Sequence, residues 1–509
     1  CAKRKRRGAL CTGLMRDAPH PNGRGAYIMK HSRFFKNAAI ISLGGLLAKG
    51  IGALYRIPLA NLLGGYGEGL YHMAYPLFCL MLTFSSAGIP TVVARTVAAE
   101  RASGRGGGTL AAALKIFSAL GTFAALMMAL LEVPVARLQG DEGLVGCYLA
   151  LAPAVLPVAL LAVLRGWWQG QGEMFPTAIS EIVEQLVKAG AGLLLASRYA
   201  GDPIRAAHAA LLAVTVSEVV ALFFLSVRAR EKRRTLAVHQ WGGGMLLVSA
   251  LPVMANAALM PLSQMLDSVL VVRLLSRSTT RAVHLYGLFA GSALSLISLP
   301  ATLCYGLVAA AVPAVASCMA KGERGEGRRR ALFALAVTLA LALPCGAGLL
   351  LLAPYLVGIL YPALSAQDAT LLTNLLRLMS VSAASLAAVD TLSACLTAMG
   401  LARRAVLSML IAVVVKALLQ VVLVGGTPLG IMGAAIATNG CYLVAFFLDL
   451  FYTVRKKREK RHAAHHRIGD KEGGTDTGRA RGAQGRGRRV RPHRDASLGG
   501  KLEGGGNSL

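Results

Sequence analysis

The chain has 509 residues, 55% hydrophobic and 15% charged, with a mean hydropathy of +0.57 and a formal net charge of +30. These values exclude a soluble globular domain, which would arrange its apolar residues in amphipathic stripes rather than in unbroken runs. The charge is concentrated at the ends: residues 1–36 carry ten Lys/Arg against one Asp, and residues 454–509 carry sixteen against six acids.

The basic N-terminal tail, residues 1–36, starts at Cys1 and contains Met29, a candidate start that directly precedes the first hydrophobic stretch. That stretch lacks a cleavage site and is too long for a signal peptide. Twelve apolar segments follow at about 37–57, 70–94, 109–131, 143–164, 175–196, 206–227, 245–272, 283–318, 331–353, 369–398, 405–424 and 429–453. Each is long enough for a helix to cross a hydrocarbon core of about 30 Å. The expected fold is therefore an all-α polytopic membrane protein. The segment 283–318 reads as one long helix kinked at Pro300, and GYGEG at 65–69 as a tight turn in a short loop rather than a phosphate cradle.

The Lys/Arg residues between these segments alternate in number. Loops beginning near Arg95, Arg165, Arg228, Lys321 and Gly400 hold sixteen in total, against six in the opposite loops, three of which are Arg273, Arg277 and Arg281. Basic residues resist translocation, so this bias puts both termini in the cytoplasm and the chain in the cytoplasmic membrane. The tail 454–509 is rich in Gly and Arg and is expected to be disordered. Both tails suit anionic membrane lipid as a partner. They lack the interleaved aromatics and modules that nucleic-acid binding would use, so no nucleic acid is expected.

Two halves can be matched. GIPTVVARTVAAER at 88–101 aligns with AVPAVASCMAKGER at 311–324, and Gly172 and Lys188-Ala189 align with Gly400 and Lys416-Ala417 at a similar offset. An even number of helices per half makes the repeat parallel. The expected organisation is a six-helix lobe at 37–227, a basic linker at 228–244 and a second six-helix lobe at 245–453. Transporters built from such repeats bind substrate between the halves near the midplane.

Ionisable groups inside spans are expensive and mark functional positions by default. Lys49 and Arg56 lie two turns apart on one face of the first helix, which carries no carboxylate to balance them. They are the candidate sites for an anionic, diphosphate-bearing substrate, because guanidinium forks and ammonium charges bind phosphate oxygens. Glu181, Glu184 and Lys188 form one stripe on the fifth helix, with Glu184–Lys188 spaced as an i, i+4 pair. Glu218 lies on the sixth, Asn256, Gln264 and Asp267 on the seventh, Asp390 on the tenth and Lys416 on the eleventh; Asp390 and Lys416 are candidates for an interhelical pair. These charges read as ion-coupling sites or as structural pairs. The nine cysteines are scattered without a CxxC pair, and no P-loop, HExxH or GxSxG occurs, so no metal, cofactor or catalytic site is expected.

YRIPLANLLGGYGEGLYHMAYPLFCLMLTFSSAGIPTVVAR at 55–95 resembles the stage V sporulation protein B branch of polysaccharide and lipid-linked-oligosaccharide exporters. RGWWQGQGEMFPTAISEIVEQLVK at 165–188 is similar to a second hallmark of that branch. The resemblance covers roughly residues 33–453 and implies the multidrug/oligosaccharidyl-lipid/polysaccharide (MOP) exporter superfamily, which includes the lipid II flippases and the multidrug antiporters. It implies two six-helix lobes around a V-shaped cavity and flipping of an undecaprenyl-linked saccharide by alternating access. By position, Lys49, Arg56 and Arg95 correspond best to the basic cavity residues of the lipid II flippases. Those flippases carry two further C-terminal helices, whereas this chain turns hydrophilic after Tyr452. Either the branch manages without them or this C-terminus is truncated or frameshifted, which weakens a claim of lipid II in particular. A cation-coupled multidrug antiporter is the alternative, with Glu181 and Glu184 as its carboxylates; Lys49 and Arg56 oppose it. A membrane-embedded glycosyltransferase would need larger outer loops and a paired-carboxylate motif.

Overall fold

The computed structural model describes residues 23–86, 88–103, 108–233 and 257–455. The basic tails up to residue 22 and from 456, the linker from residue 234 and the first part of the seventh predicted helix, with Asn256, lie outside the described residues. The described chain is helical throughout. Helix α1 is Gly23–Ser86, α2 Ile89–Ala102, α3 Thr109–Gln139, α4 Leu144–Leu151, α5 Val155–Gly170, α6 Phe175–Ser197 and α7 Pro203–Arg233. After the undescribed stretch come α8 Leu259–Leu275, α9 Ala282–Tyr286, a π-helical segment Gly287–Ala293, α10 Leu294–Ile297 and α11 Leu299–Ala320. The last four are α12 Arg324–Leu360, α13 Ala366–Ala398, α14 Ala402–Gly425 and α15 Ile431–Val454.

Among the described residues, nine helices are long and apolar enough to cross a membrane. The twelve predicted crossings map onto these and three special cases. One continuous span, Ile40–Ala102, contains two crossings, because α1 is interrupted at Gly64 (φ 62°, ψ 172°), a backbone conformation open to glycine. Lys49 and Arg56 before Gly64, and Tyr71 and Cys79 after it, line the same cavity, so the two arms fold back on each other. The predicted loop across GYGEG is thus corrected to a one-residue turn, with residues 65–69 already helical. Helix α6 carries the Glu181, Glu184 and Lys188 stripe and is too charged to count as apolar, and α8, from Leu259 to Leu275, is 17 residues long. The predicted long eighth helix is α9 to α11, bent at Ser298 just before Pro300 and widened by the π-helical segment.

Proline and glycine explain the remaining breaks. Gly88 at φ 76° separates the second arm of α1 from α2, whose first turn takes Pro90 without losing a hydrogen bond. Pro153 sits in a single 3₁₀ turn between α4 and α5. Two of the three arginines that run against the charge bias, Arg273 and Arg281, have local partners. Arg273 donates to the Leu138 and Arg137 carbonyls at the C-terminus of α3, at 2.6 and 2.9 Å, and Arg281 pairs with Asp368 at 2.9 Å. Cations are favourable at a helix C-terminus, which offsets their position on the sparse side.

The buried apolar core divides along the bundle. Near Gly64 one continuous cluster joins Leu59, Leu63, Met73 and Tyr148 of the first half to Val272, Phe289, Val357 and Leu375 of the second. Toward the end bearing Arg101, the first half has its own core of Val93, Phe117 and Trp167. The second half has small separate ones around Cys304, Val315 and Leu392. The chain is accordingly joined at the Gly64 end and split at the Arg101 end.

Candidate functional site

Between the two halves lies a cavity of about 900 Å³. Helix α1 contributes Gly45, Lys49, Gly52 and Arg56 at a helical repeat, one continuous face. Gly52 is where the Gln185 side chain approaches closest, so this face stays thin enough for α6 to pack beside the charges. The Lys49 ammonium lies 3.5 Å above the Tyr305 ring, a cation–π contact that joins the first half to α11. Glu181 and Asp390 lie within electrostatic reach of Lys49 from α6 and α13. Arg56 is exposed to the cavity and has no hydrogen-bond or ion-pair partner among the described residues.

The other charges are engaged with one another. Arg165 donates to Glu184 at 2.8 Å and to Ser180 at 3.0 Å, and Lys188 reaches the second Glu184 oxygen at 3.8 Å. Gln185 donates to Glu184 as well, at 2.9 Å. On the opposite wall, the buried Lys416 ammonium pairs with Asp267, and Gln420 donates to the other Asp267 oxygen at 3.1 Å. The expected Asp390–Lys416 pair is corrected: Asp390 faces the cavity near Lys49, and Lys416 is taken by Asp267. Arg95 is exposed on α2 and does not line the cavity, and Glu218 is buried on α7 behind the lining. Sequence reasoning missed Arg165, counted there only as a loop charge. It also missed six cavity tyrosines, although Tyr71 and Tyr75 at i, i+4 were a readable signal.

The Gly64 end of the cavity is closed. Gly65 and Gly69 of α1 cross Gly287 and Gly291 so tightly that a Cβ on Gly69 would strike the Val283 carbonyl, and one on Gly287 the Gly65 carbonyl. Both pairs have the small-xxx-small spacing that brings helix backbones together in membranes. Beside this crossing the buried Glu68 carboxylate accepts from Ser292 at 2.7 Å. Asn61 donates to the Leu360 carbonyl at 2.7 Å, and Gln139 donates to Met73 at 3.0 Å and to Ser268 at 2.8 Å. Further hydrogen bonds between the halves at this end come from Arg273 to the Leu138 and Arg137 carbonyls.

The polysaccharide biosynthesis protein family model matches residues 34–319, more than half of the chain. The chain belongs to this family. It is 28% identical over 437 residues to stage V sporulation protein B of Bacillus subtilis (strain 168), covering 82% of this chain and 83% of that protein. It is 25% identical over 169 residues to the lipid II flippase MurJ of the same organism, covering 31% of each. Among solved structures, it superposes on an inward-facing MATE family multidrug resistance transporter of the MOP superfamily with a TM-score of 0.68 at 15% identity, covering 83% of this chain and 96% of that one. The inward closed conformation of lipid II flippase MurJ gives 0.64 at 15% identity, with 82% and 88% covered. The family member therefore has the MOP-superfamily transporter fold, and it is a multi-pass membrane protein.

Proposed function

We propose that this polysaccharide biosynthesis family member flips lipid-linked saccharide precursors of the undecaprenyl-diphosphate type across the cytoplasmic membrane by alternating access. The observation that carries this reading is the interhelical cavity closed at one end, with Lys49 over the Tyr305 ring and Arg56 without a hydrogen-bond or ion-pair partner among the described residues. The charge bias makes the Gly64 end the outer one, so the cavity is accessible from the side where such precursors are made. The anionic head group pairs with Arg56 and draws Lys49 from Tyr305, which removes a contact between the halves. Rocking then requires the glycine crossing and the Asn61, Glu68 and Gln139 bonds to part. The names of the relatives, a sporulation protein and a lipid II flippase, support a lipid-linked substrate.

The driving force in this reading is the membrane potential or an ion gradient, worth about 2.3 kcal/mol per charge per 100 mV. Glu184 and Asp267 are each held by a cation, so they serve as structural pairs. Glu181, Asp390 and Glu218 have no salt bridge among the described residues and remain the coupling candidates. The test is binding of a polyprenyl-diphosphate saccharide to the purified protein and to the Lys49→Ala/Arg56→Ala variant. Binding by the wild type that the variant loses supports the flippase. Affinity for lipophilic cations with none for the lipid would favour a multidrug antiporter instead.

A further inference from the structure

Four charged residues line the cavity without a salt bridge among the described residues: Lys49 and Arg56 on α1, Glu181 on α6 and Asp390 on α13. Charges inside a membrane are expensive, and they pair with one another or mark a substrate path. Lys49, Arg56 and Glu181 belong to the first half. Asp390 alone comes from the second. The other cavity-wall cations are taken, Arg165 and Lys188 by Glu184 and Lys416 by Asp267, so none of them is free for Asp390.

The surroundings of Lys49 are fixed by a thin stretch of α1. Gly45 exposes its backbone so closely that an added Cβ would lie 3.6 Å from the Tyr305 ring and 3.8 Å from the Glu181 carboxylate. One turn on, the Lys49 ammonium stands 3.5 Å from the centre of the same ring. Glu181 therefore flanks Lys49 within the first half. From the second half Lys49 meets the Tyr305 ring and, within electrostatic reach, Asp390. The charge acting on Asp390 is in turn that of Lys49. Asp390 is two residues from Leu392, in one of the separate cores at the Arg101 end, the end that has room to close. Arg56 is seven residues beyond Lys49, about 10 Å nearer the Gly64 end.

Resting on the flippase reading above, we propose that Asp390 competes with the substrate diphosphate for Lys49. Rocking that parts the Gly64 end narrows the other end and carries Asp390 toward Lys49. The ammonium then exchanges one anion for another, phosphate for carboxylate, at little net electrostatic cost. The diphosphate is left on Arg56, beside the end that is opening, held by one cation in place of two. Asp390 is thus a positioning residue that acts on the lipid through Lys49. In the empty protein the same contact holds the Arg101 end shut. Glu181 does not serve this way, because α1 and α6 belong to one half and move together.

The test uses the purified full chain, polyprenyl-diphosphate N-acetylhexosamine as the probe, and Asp390→Asn, which keeps the side chain's shape and removes its charge. The variant should bind the lipid about tenfold more tightly than the wild type, a gain that damage to the fold does not produce. In a Lys49→Ala background the same substitution should change affinity by less than about twofold, because the competition runs through Lys49. Without lipid, spin labels on the last turns of α2 and α13 report the fraction closed at the Arg101 end. That fraction should fall about fivefold in Asp390→Asn and stay unchanged in Glu181→Gln. Lipid affinity that does not rise in Asp390→Asn, or rises equally without Lys49, overturns the role of Asp390 while leaving the flippase reading intact. So does a closed fraction that Asp390→Asn leaves unchanged or that Glu181→Gln lowers as much. Failure of wild type and Asp390→Asn alike to bind the lipid overturns both readings.

Discussion

The two ends of this bundle are built on different principles. At the Gly64 end a single apolar core passes through both halves, glycine backbones touch and hydrogen bonds cross between them. At the Arg101 end each half keeps its own core. The first end is held by close fit, which is either present or lost, because packed interfaces do not stretch. A cavity that is open at one end and closed by a separable contact at the other is the geometry in which a modest change in binding can exchange one access for the other.

The sharpest way to break this contrast is to fill the crossing. Gly287→Leu places a side chain into the Gly65 backbone, and overpacking against a backbone that cannot move costs about 3 kcal/mol or more. Thermal unfolding in detergent should show a large loss of stability, and transport should cease. Gly348→Ala and Gly358→Ala on α12, where nothing lies near the added methyl, should leave unfolding unchanged or raise it slightly. If the two kinds of substitution behave alike, the crossing is not what closes the cavity.

Next in size is the Lys416–Asp267 pair in the cavity wall. Lys416→Met strands Asp267 in a low-dielectric interior, at a cost of about 3–5 kcal/mol, and Lys416→Met/Asp267→Leu should recover most of it. A double-mutant cycle measured by thermal unfolding decides the point. Additive losses would mean the ion pair contributes nothing specific.

The expected membrane crossings and the Lys49–Arg56 face were readable because both follow from periodicity within one segment. The glycine crossing was not, although GYGEG had been noticed, because its partner Gly287–Gly291 lies in another half of the chain and closeness between them is a property of packing. Pairing of buried charges was similarly out of reach: sequence shows that Asp267, Asp390 and Lys416 are each costly alone, but not which two helices face each other. Arg165 was overlooked because a cation at a helix end already has a sufficient explanation in topology.

Smaller effects should come from single bonds at the closed end. Asn61→Ala removes the donor to the Leu360 carbonyl and leaves that carbonyl unpaired, about 1–3 kcal/mol in the closed form alone. Its consequence is a population shift: labels placed on α1 and α12 at that end should report a larger open fraction by distance measurement between spins. An unchanged distance distribution would show that Asn61 does not favour closure.

Arg56 should have the least effect on stability and a large one on function. It has no hydrogen-bond or ion-pair partner among the described residues, so Arg56→Ala should change the unfolding midpoint little, within about 0.5 kcal/mol. Arg165→Ala, at the other cavity guanidinium, frees Glu184 and Ser180 from their donor and should lower stability measurably. The two variants separate a cation that organises the wall from one that waits for a ligand. If Arg56→Ala destabilises the protein as much as Arg165→Ala, its guanidinium is engaged in the fold, and an unpaired anchor for phosphate must be sought at Lys49.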